Sequence, residues 1–154
     1  MAIGVGSMHL SALLAGARSA GVDLLMAAGR YTLVTPDITG DVLAACRANS
    51  VDVIAAAVFN GGLLAASPSK ATRFDYGPVP DSVLRRARRL EAICADFDIP
   101  LRVAALQFPL REPSVRSVIV GGDTPAQIKQ NADDLQVAVP PELWRALAAE
   151  AVSL

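Results

Sequence analysis

The sequence predicts an α/β chain built on a parallel sheet, and three observations carry that expectation. Four short apolar runs, residues 2–6, 22–27, 51–58 and 115–120, are separated by stretches of helical periodicity. The runs are almost continuously apolar rather than alternating, the pattern of strands covered on both faces. The intervals between them are long enough for the crossover helices that parallel pairing requires.

The elements follow in order. Ala2-Ile3-Gly4-Val5-Gly6 reads as the first strand. Residues 10–20 form the first connecting helix, ended by Gly21. The second strand is followed by a helix over residues 37–49, opened by Thr35-Pro36. After the third strand comes a loop, 61–80, longer than the usual few residues and therefore a candidate binding loop. Val83, Ala87, Leu90, Cys94 and Phe97 recur at three and four, which predicts an amphipathic helix over 81–97. Pro100 ends that region, and 102–108 reads as a short helix stopped by Pro109. The fourth strand runs into Gly121-Gly122, then Thr124 as helix cap and Pro125 at the first helical position. Leu143, Trp144, Leu147 and Ala148 mark a final helix opened by Pro140-Pro141, with Trp144 docking it.

The resulting order, βαβαβ–loop–αα–βαα, fits two architectures. One is a small open doubly wound sheet, the other half of a (β/α)8 barrel. A whole barrel needs about 250 residues, so a chain of 154 has room for half. No internal repeat or low-complexity linker divides it, and residues 1–154 are expected to form a single partial domain.

Composition narrows the function classes. The chain is 53% hydrophobic and 19% charged, with a mean hydropathy of +0.40. Its net charge of −1 leaves no electrostatic footprint for nucleic acid or an anionic membrane. Arg85, Arg86, Arg88 and Arg89 are flanked by Asp81 and Glu91 and read as a solvated helix face. No apolar run reaches the roughly 18 residues that span a bilayer. The N-terminus shows no secretion signal, so the expected location is cytoplasmic. Cys46 and Cys94 have no metal-ligand spacing and read as small core residues; no metal site is expected.

Two segments carry candidate chemistry. At Gly121, Gly122, Asp123 and Thr124 a helix N-terminus with unpaired N–H groups faces the end of a strand, which suits a phosphate. An ordinary strand-to-helix turn would read the same way. At Phe59, Asn60, Gly61, Gly62 and Leu63 two glycines either let amides approach an anion or serve a backbone that needs positive φ. Arg30 and Tyr31 at a strand exit border a substrate or pack there, and Phe74 and Tyr76 on the long loop cover a ligand or pack across a rim.

These pieces together resemble the C-terminal half of an aldo-keto reductase. The first strand with Ser7, the run Gly29-Arg30-Tyr31-Thr32-Leu33, the loop from Phe59 to Leu64 and the segment from Val118 to Asn131 are similar to the exits of that family's last four strands. Gly29 to Leu33, Phe74-Asp75-Tyr76 and Ala104-Ala105-Leu106-Gln107-Phe108-Pro109 resemble its branch of aldose and pyridoxal dehydrogenases. The resemblance implies a parallel TIM-barrel fragment, strands five to eight of the (β/α)8 barrel. It implies a nicotinamide cofactor and a sugar or pyridoxal-like substrate in the full enzyme, bordered by Tyr31 and Tyr76. Gln130 and Asn131 would meet the adenine, residues 59–63 the pyrophosphate, and Gly6 with Ser7 the carboxamide.

Departures from the family pattern refine this. Members that use NADP place Lys, Ser and Arg where Gly121, Gly122 and Gln127 stand, and Asp123 would repel a 2′-phosphate. NAD is therefore expected, while Lys129 keeps NADP possible. The nicotinamide-stacking Tyr of many members aligns with Ala56, and a strand-six Gln with Ala28. The family's catalytic Tyr, Lys, Asp and His lie on its first four strands. His9, Tyr31 and Tyr76 do not match them, so no catalytic residue is expected here and the chain alone should be inactive. A missing N-terminal half or self-association would complete the sheet. The alternatives are a noncatalytic fragment that binds another chain and a free-standing small α/β nucleotide binder.

Overall fold

The computed structural model describes residues 1–70 and 73–152; residues 71–72 of the long loop lie outside the described residues. The chain divides into two compact units. Met1–Val58 with Phe108–Val120 forms the first, and Phe59–Gln107 with the chain from Gly121 onward forms the second.

The first unit is a parallel sheet with its helices. β1 (Gly4–Ser7), α1 (Leu10–Arg18), β2 (Leu24–Ala28), α2 (Asp41–Asn49) and β3 (Asp52–Ala56) follow one another, and β4 (Val115–Ile119) joins later. All pairings are parallel, with Val5 opposite Leu25, Leu25 opposite Val53 and Ala55 opposite Val118. The strand order is β1-β2-β3-β4. A doubly wound sheet reverses its order at a switch point, whereas a barrel adds strands sequentially around its wall. The unbroken order therefore separates the two architectures in favour of the barrel piece.

Local chemistry sets the boundaries. A Cβ on Gly16 would come within 2.9 Å of Leu25 Cδ2, so glycine lets α1 lie close on β2. The second helix begins at Asp41 rather than residue 37, because Gly40 holds φ at 93° and interrupts the turn before it. β3 ends at Ala56, short of residue 58, because Ala57 takes φ of 54°. The expectation of strands covered on both faces is corrected. β2 alternates between buried and half-buried, and in β4 only Val115 is buried, Arg116 and Ser117 being exposed. β1 and β4 are the outer strands, each paired on one side only among the described residues.

The second unit contains the 59–64 loop, a 3₁₀ turn at Pro68–Lys70 and a two-residue hairpin closed between Phe74 and Gly77. α3 (Asp81–Ala95), α4 (Leu101–Gln107), α5 (Pro125–Asp134) and α6 (Pro141–Val152) follow. Leu90, Cys94, Leu106, Leu143 and Trp144 are buried, as the helical periodicities require. Arg85, Arg88 and Arg89 are exposed, and Arg89 pairs with Glu150. Gln107 donates from Nε2 to the carbonyls of Asp134 and Val137 at 2.8 and 2.9 Å, closing the C-terminal end of α5.

Candidate functional site

A cleft of about 520 Å³ opens within the second unit. Three segments build it. The loop contributes Phe59, Gly61, Gly62, Ala65 and Ala66; α4 contributes Arg102; the turn and face of α5 contribute Gly121, Gly122, Asp123, Gln127, Gln130 and Asn131. Thus nine of the residues singled out in the sequence meet in one concavity.

The turn is held by its own caps. Thr124 Oγ1 accepts from the Gln127 N–H at 3.2 Å, and Gln127 Oε1 accepts from the Asp123 N–H at 2.6 Å. The first bond is the cap that a Thr at this position offers, and the second reaches one residue further back, to the amide before the cap. Thr124 therefore works as the cap and does not line the cleft. With Asp123 engaged, the amides of Gly121 and Gly122 have no acceptor among the described residues. In the loop, the Gly62, Leu63 and Leu64 amides are spent on the carbonyls of Phe59 and Asn60, at 3.1 to 3.4 Å. Of the two roles open to the loop glycines, Gly62 spends its amide on the tight turn, while the Gly61 amide has no acceptor among the described residues. Three bare amides thus border one cleft, a natural receptor for an anionic oxygen.

The glycines divide by cause. Gly61 and Gly62 hold φ at 68° and 96°, a demand of the fold itself. Gly121 has no such demand, and a Cβ there would meet nothing within 4 Å. A Cβ on Gly122 would instead press on Ile128, at 2.7 Å from Cδ1. Nothing among the described residues calls for a glycine at Gly121, and the space beside it is open.

Arg102, which the sequence reading passed over, sits at the centre of the polar contacts. Its Nη2 donates to Asn131 Oδ1 at 2.9 Å, and its Nε lies 2.9 Å from Asp134 Oδ2. That second contact is close but lacks hydrogen-bond alignment. The guanidinium carbon stands 5.9 Å from the centre of the Phe59 ring. Asn131 Nδ2 donates in turn to the Gly121 carbonyl at 3.5 Å. Asn131 and Asp134 are both buried. Burial raises the Asp134 pKa; Arg102 pulls it back and Asp133 pushes it further up. A lone arginine inside the apolar run Leu101 to Leu106 was the available signal, since a cation on such a helix needs a partner.

The remaining candidates stand elsewhere. Asn60 and Leu63 are buried in the loop and do not line the cleft. Gly6 and Ser7 lie on β1 of the first unit, where Ser7 Oγ accepts from the His9 amide at 2.9 Å. Tyr31, also in the first unit, is 7% exposed and its ring meets Phe108 at 5.2 Å between centres. Burial, then Glu112, raises its pKa, with Arg47 and Arg111 opposing. Tyr76 stands 90% exposed on the hairpin, at φ of 66°. Among the described residues there is no cluster of His, Cys, Asp and Glu fit to hold a metal. None of the described helices is long and apolar enough to cross a membrane.

Comparison with known proteins gives the family and the fold. The profile of the Aldo/keto reductase family matches residues 1–150. D-threo-aldose 1-dehydrogenase from a Pseudomonas species is 49% identical over 148 residues, covering 96% of this chain and 45% of that protein. Pyridoxal 4-dehydrogenase from Microbacterium luteolum is 36% identical over 131 residues, covering 85% of this chain and 38% of that protein. The chain thus spans less than half the length of these curated relatives. Among solved structures, the glycerol dehydrogenase from Gluconobacter oxydans superposes with a TM-score of 0.72 at 15% identity, over 99% of this chain and 49% of that one. An aldo-keto reductase from Bacillus halodurans, in its holo form, gives 0.76 at 17% identity, over 97% and 49%. These likenesses fix the fold as a parallel α/β fragment of a TIM barrel.

Proposed function

The chain belongs to the aldo/keto reductase family, and from that premise we propose that it carries the dinucleotide-holding part of an NAD-preferring dehydrogenase acting on aldoses or pyridoxal-like alcohols. One observation carries the reading: the three amides of Gly61, Gly121 and Gly122, without acceptors among the described residues, border the cleft that also presents Asn131. Backbone donors at a helix start bind phosphate oxygens, and a side-chain amide pairs with an adenine edge.

A nicotinamide dinucleotide, when bound, takes up the hydride leaving the anomeric or alcohol carbon. This chain's residues bind and orient. Gly61, Gly121 and Gly122 donate to phosphate oxygens, Asn131 and Gln130 meet the base, and Asp123 accepts from a ribose hydroxyl while disfavouring a 2′-phosphate. The preference for NAD over NADP rests on Asp123 and Gln127 at that turn. Gly6 and Ser7 would serve the carboxamide end, and Tyr31 and Tyr76 the substrate side. The acid–base Tyr and its Lys, Asp and His partners have no counterpart at matching positions and would come from outside this chain, so the 154 residues alone should not turn over.

Calorimetric titration of the purified chain with ADP-ribose, NAD and NADP tests the reading. Saturable binding, tighter for NAD than NADP, is expected, with no reduction of NAD by L-fucose, D-arabinose or pyridoxine. Absence of binding to all three ligands overturns the cleft assignment. Turnover above that of a heat-treated control overturns the division of labour.

A second reading concerns partners. Among the described residues β1 and β4 each leave one edge unpaired, and such edges invite another strand. Pairing of these edges with a further polypeptide segment or with a second copy of the chain is the reading they favour.

A further inference from the structure

We propose that Arg102 is a positioning residue for the base end of the cleft: anchored by Asp134, it fixes the orientation of the Asn131 amide. The inference rests on the cofactor reading above. Arg102 offers donors only, so the atom of Asn131 that faces it at 2.9 Å must be the oxygen. The Gly121 carbonyl offers an acceptor only, so the atom facing it at 3.5 Å must be the nitrogen. Two independent neighbours therefore demand the same orientation, and turning the amide over would set donor against donor and acceptor against acceptor. With Oδ1 engaged by the guanidinium and one Nδ2 proton directed to Gly121, the second Nδ2 proton is the group left to offer a ligand.

The guanidinium is held in its turn. Asp134 Oδ2 lies 2.9 Å from Nε, and the guanidinium carbon stands over the Phe59 ring, 5.9 Å from its centre. Arg102 and Asp134 are both mostly buried, with side-chain exposures of 16% and 11%, so water competes weakly for the pair. The Asp134 charge also offsets that of Arg102. A compensated cation is a poor phosphate hook and a good strut, which is why the positioning role is favoured over direct contact with the pyrophosphate.

The test separates the base from the phosphates. ADP and inorganic pyrophosphate are titrated against the unaltered chain, R102L, N131A and the double variant, with thermal melts checking that each is folded. R102L is expected to weaken ADP binding roughly tenfold, the scale of one oriented hydrogen bond, and to leave pyrophosphate binding unchanged. N131A should show the same loss, and the double variant no further loss, because Arg102 acts through Asn131. R102K keeps the charge beside Asp134 but not the planar fork; it should lose ADP affinity in the same way and is read if R102L fails to fold. A parallel fall in pyrophosphate binding, multiplicative losses in the double variant, or unchanged ADP binding overturns the inference while leaving the cleft reading intact. Failure of the unaltered chain to bind either ligand overturns both.

Discussion

Exchanging Asp123→Ser together with Gln127→Arg should move the cleft from NAD toward NADP. In the present turn, Gln127 Oε1 holds the Asp123 N–H at 2.6 Å, and both side chains are exposed beside the cleft. Removing the carboxylate relieves a like-charge repulsion with a 2′-phosphate, on the order of 1 kcal/mol in water at contact range. Arginine at position 127 adds charge-assisted hydrogen bonds of about 1.5–3 kcal/mol, and freeing the Asp123 amide adds a donor. Ordering the long side chain costs about 1 kcal/mol. The net of about 2 kcal/mol corresponds to a swing of roughly 30-fold in the NADP-to-NAD affinity ratio. The lost cap bond should lower stability by no more than about 1 kcal/mol, because the Thr124 cap remains. Parallel titrations of both dinucleotides measure the ratio directly. An unchanged ratio in a folded double variant, or equal weakening of both cofactors, would mean that this turn does not face the 2′ position.

Other expectations are independent of that one. Thr124→Ala should cost about 1 kcal/mol in denaturant unfolding, since its hydroxyl caps α5; no change would remove the cap from the account. Gly121→Ala should leave stability within about 1 kcal/mol, because its Cβ meets nothing, yet weaken ADP-ribose binding; undiminished binding would take Gly121 out of the receptor. Cys46 and Cys94 are both 0% exposed, so alkylation by iodoacetamide at pH 8 should require denaturant. Burial, and then Glu91, pushes the Cys94 thiol from 9.0 up to about 11, so the folded state keeps a proton that the unfolded state loses. That contribution is present below pH 9 and disappears as pH rises toward about 11, and Cys94→Ala should flatten this part of the profile in denaturant titrations. The isolated chain should self-associate through its outer strands; a light-scattering mass equal to one 16.0 kDa chain at high concentration, with a cooperative melt, contradicts this.

The residues themselves determined the local architecture. The heptad-like spacing of Val83, Ala87, Leu90 and Cys94 becomes α3, and Thr124-Pro125 opens α5 where a cap and a proline at the first position must. These signals are legible because each depends on neighbours within a turn or two. The apolar strand runs were legible as strands, but not which would be outer ones: exposure of β1 and β4 depends on sheet order, which no short window contains. The same limit governs the cleft. Gly61, Gly121 and Asn131 stand out in the chain as residue types, yet whether a glycine serves its own φ or leaves room for a ligand depends on the fold around it, and Gly61 differs from Gly121 in that respect. The position of Arg102 in an apolar run signals that it needs a partner, but not which one, since its partners lie 29 and 32 positions later, at Asn131 and Asp134. A buried cation takes its meaning from the acceptors that tertiary folding brings to it, and only the packing of α4 against α5 selects them.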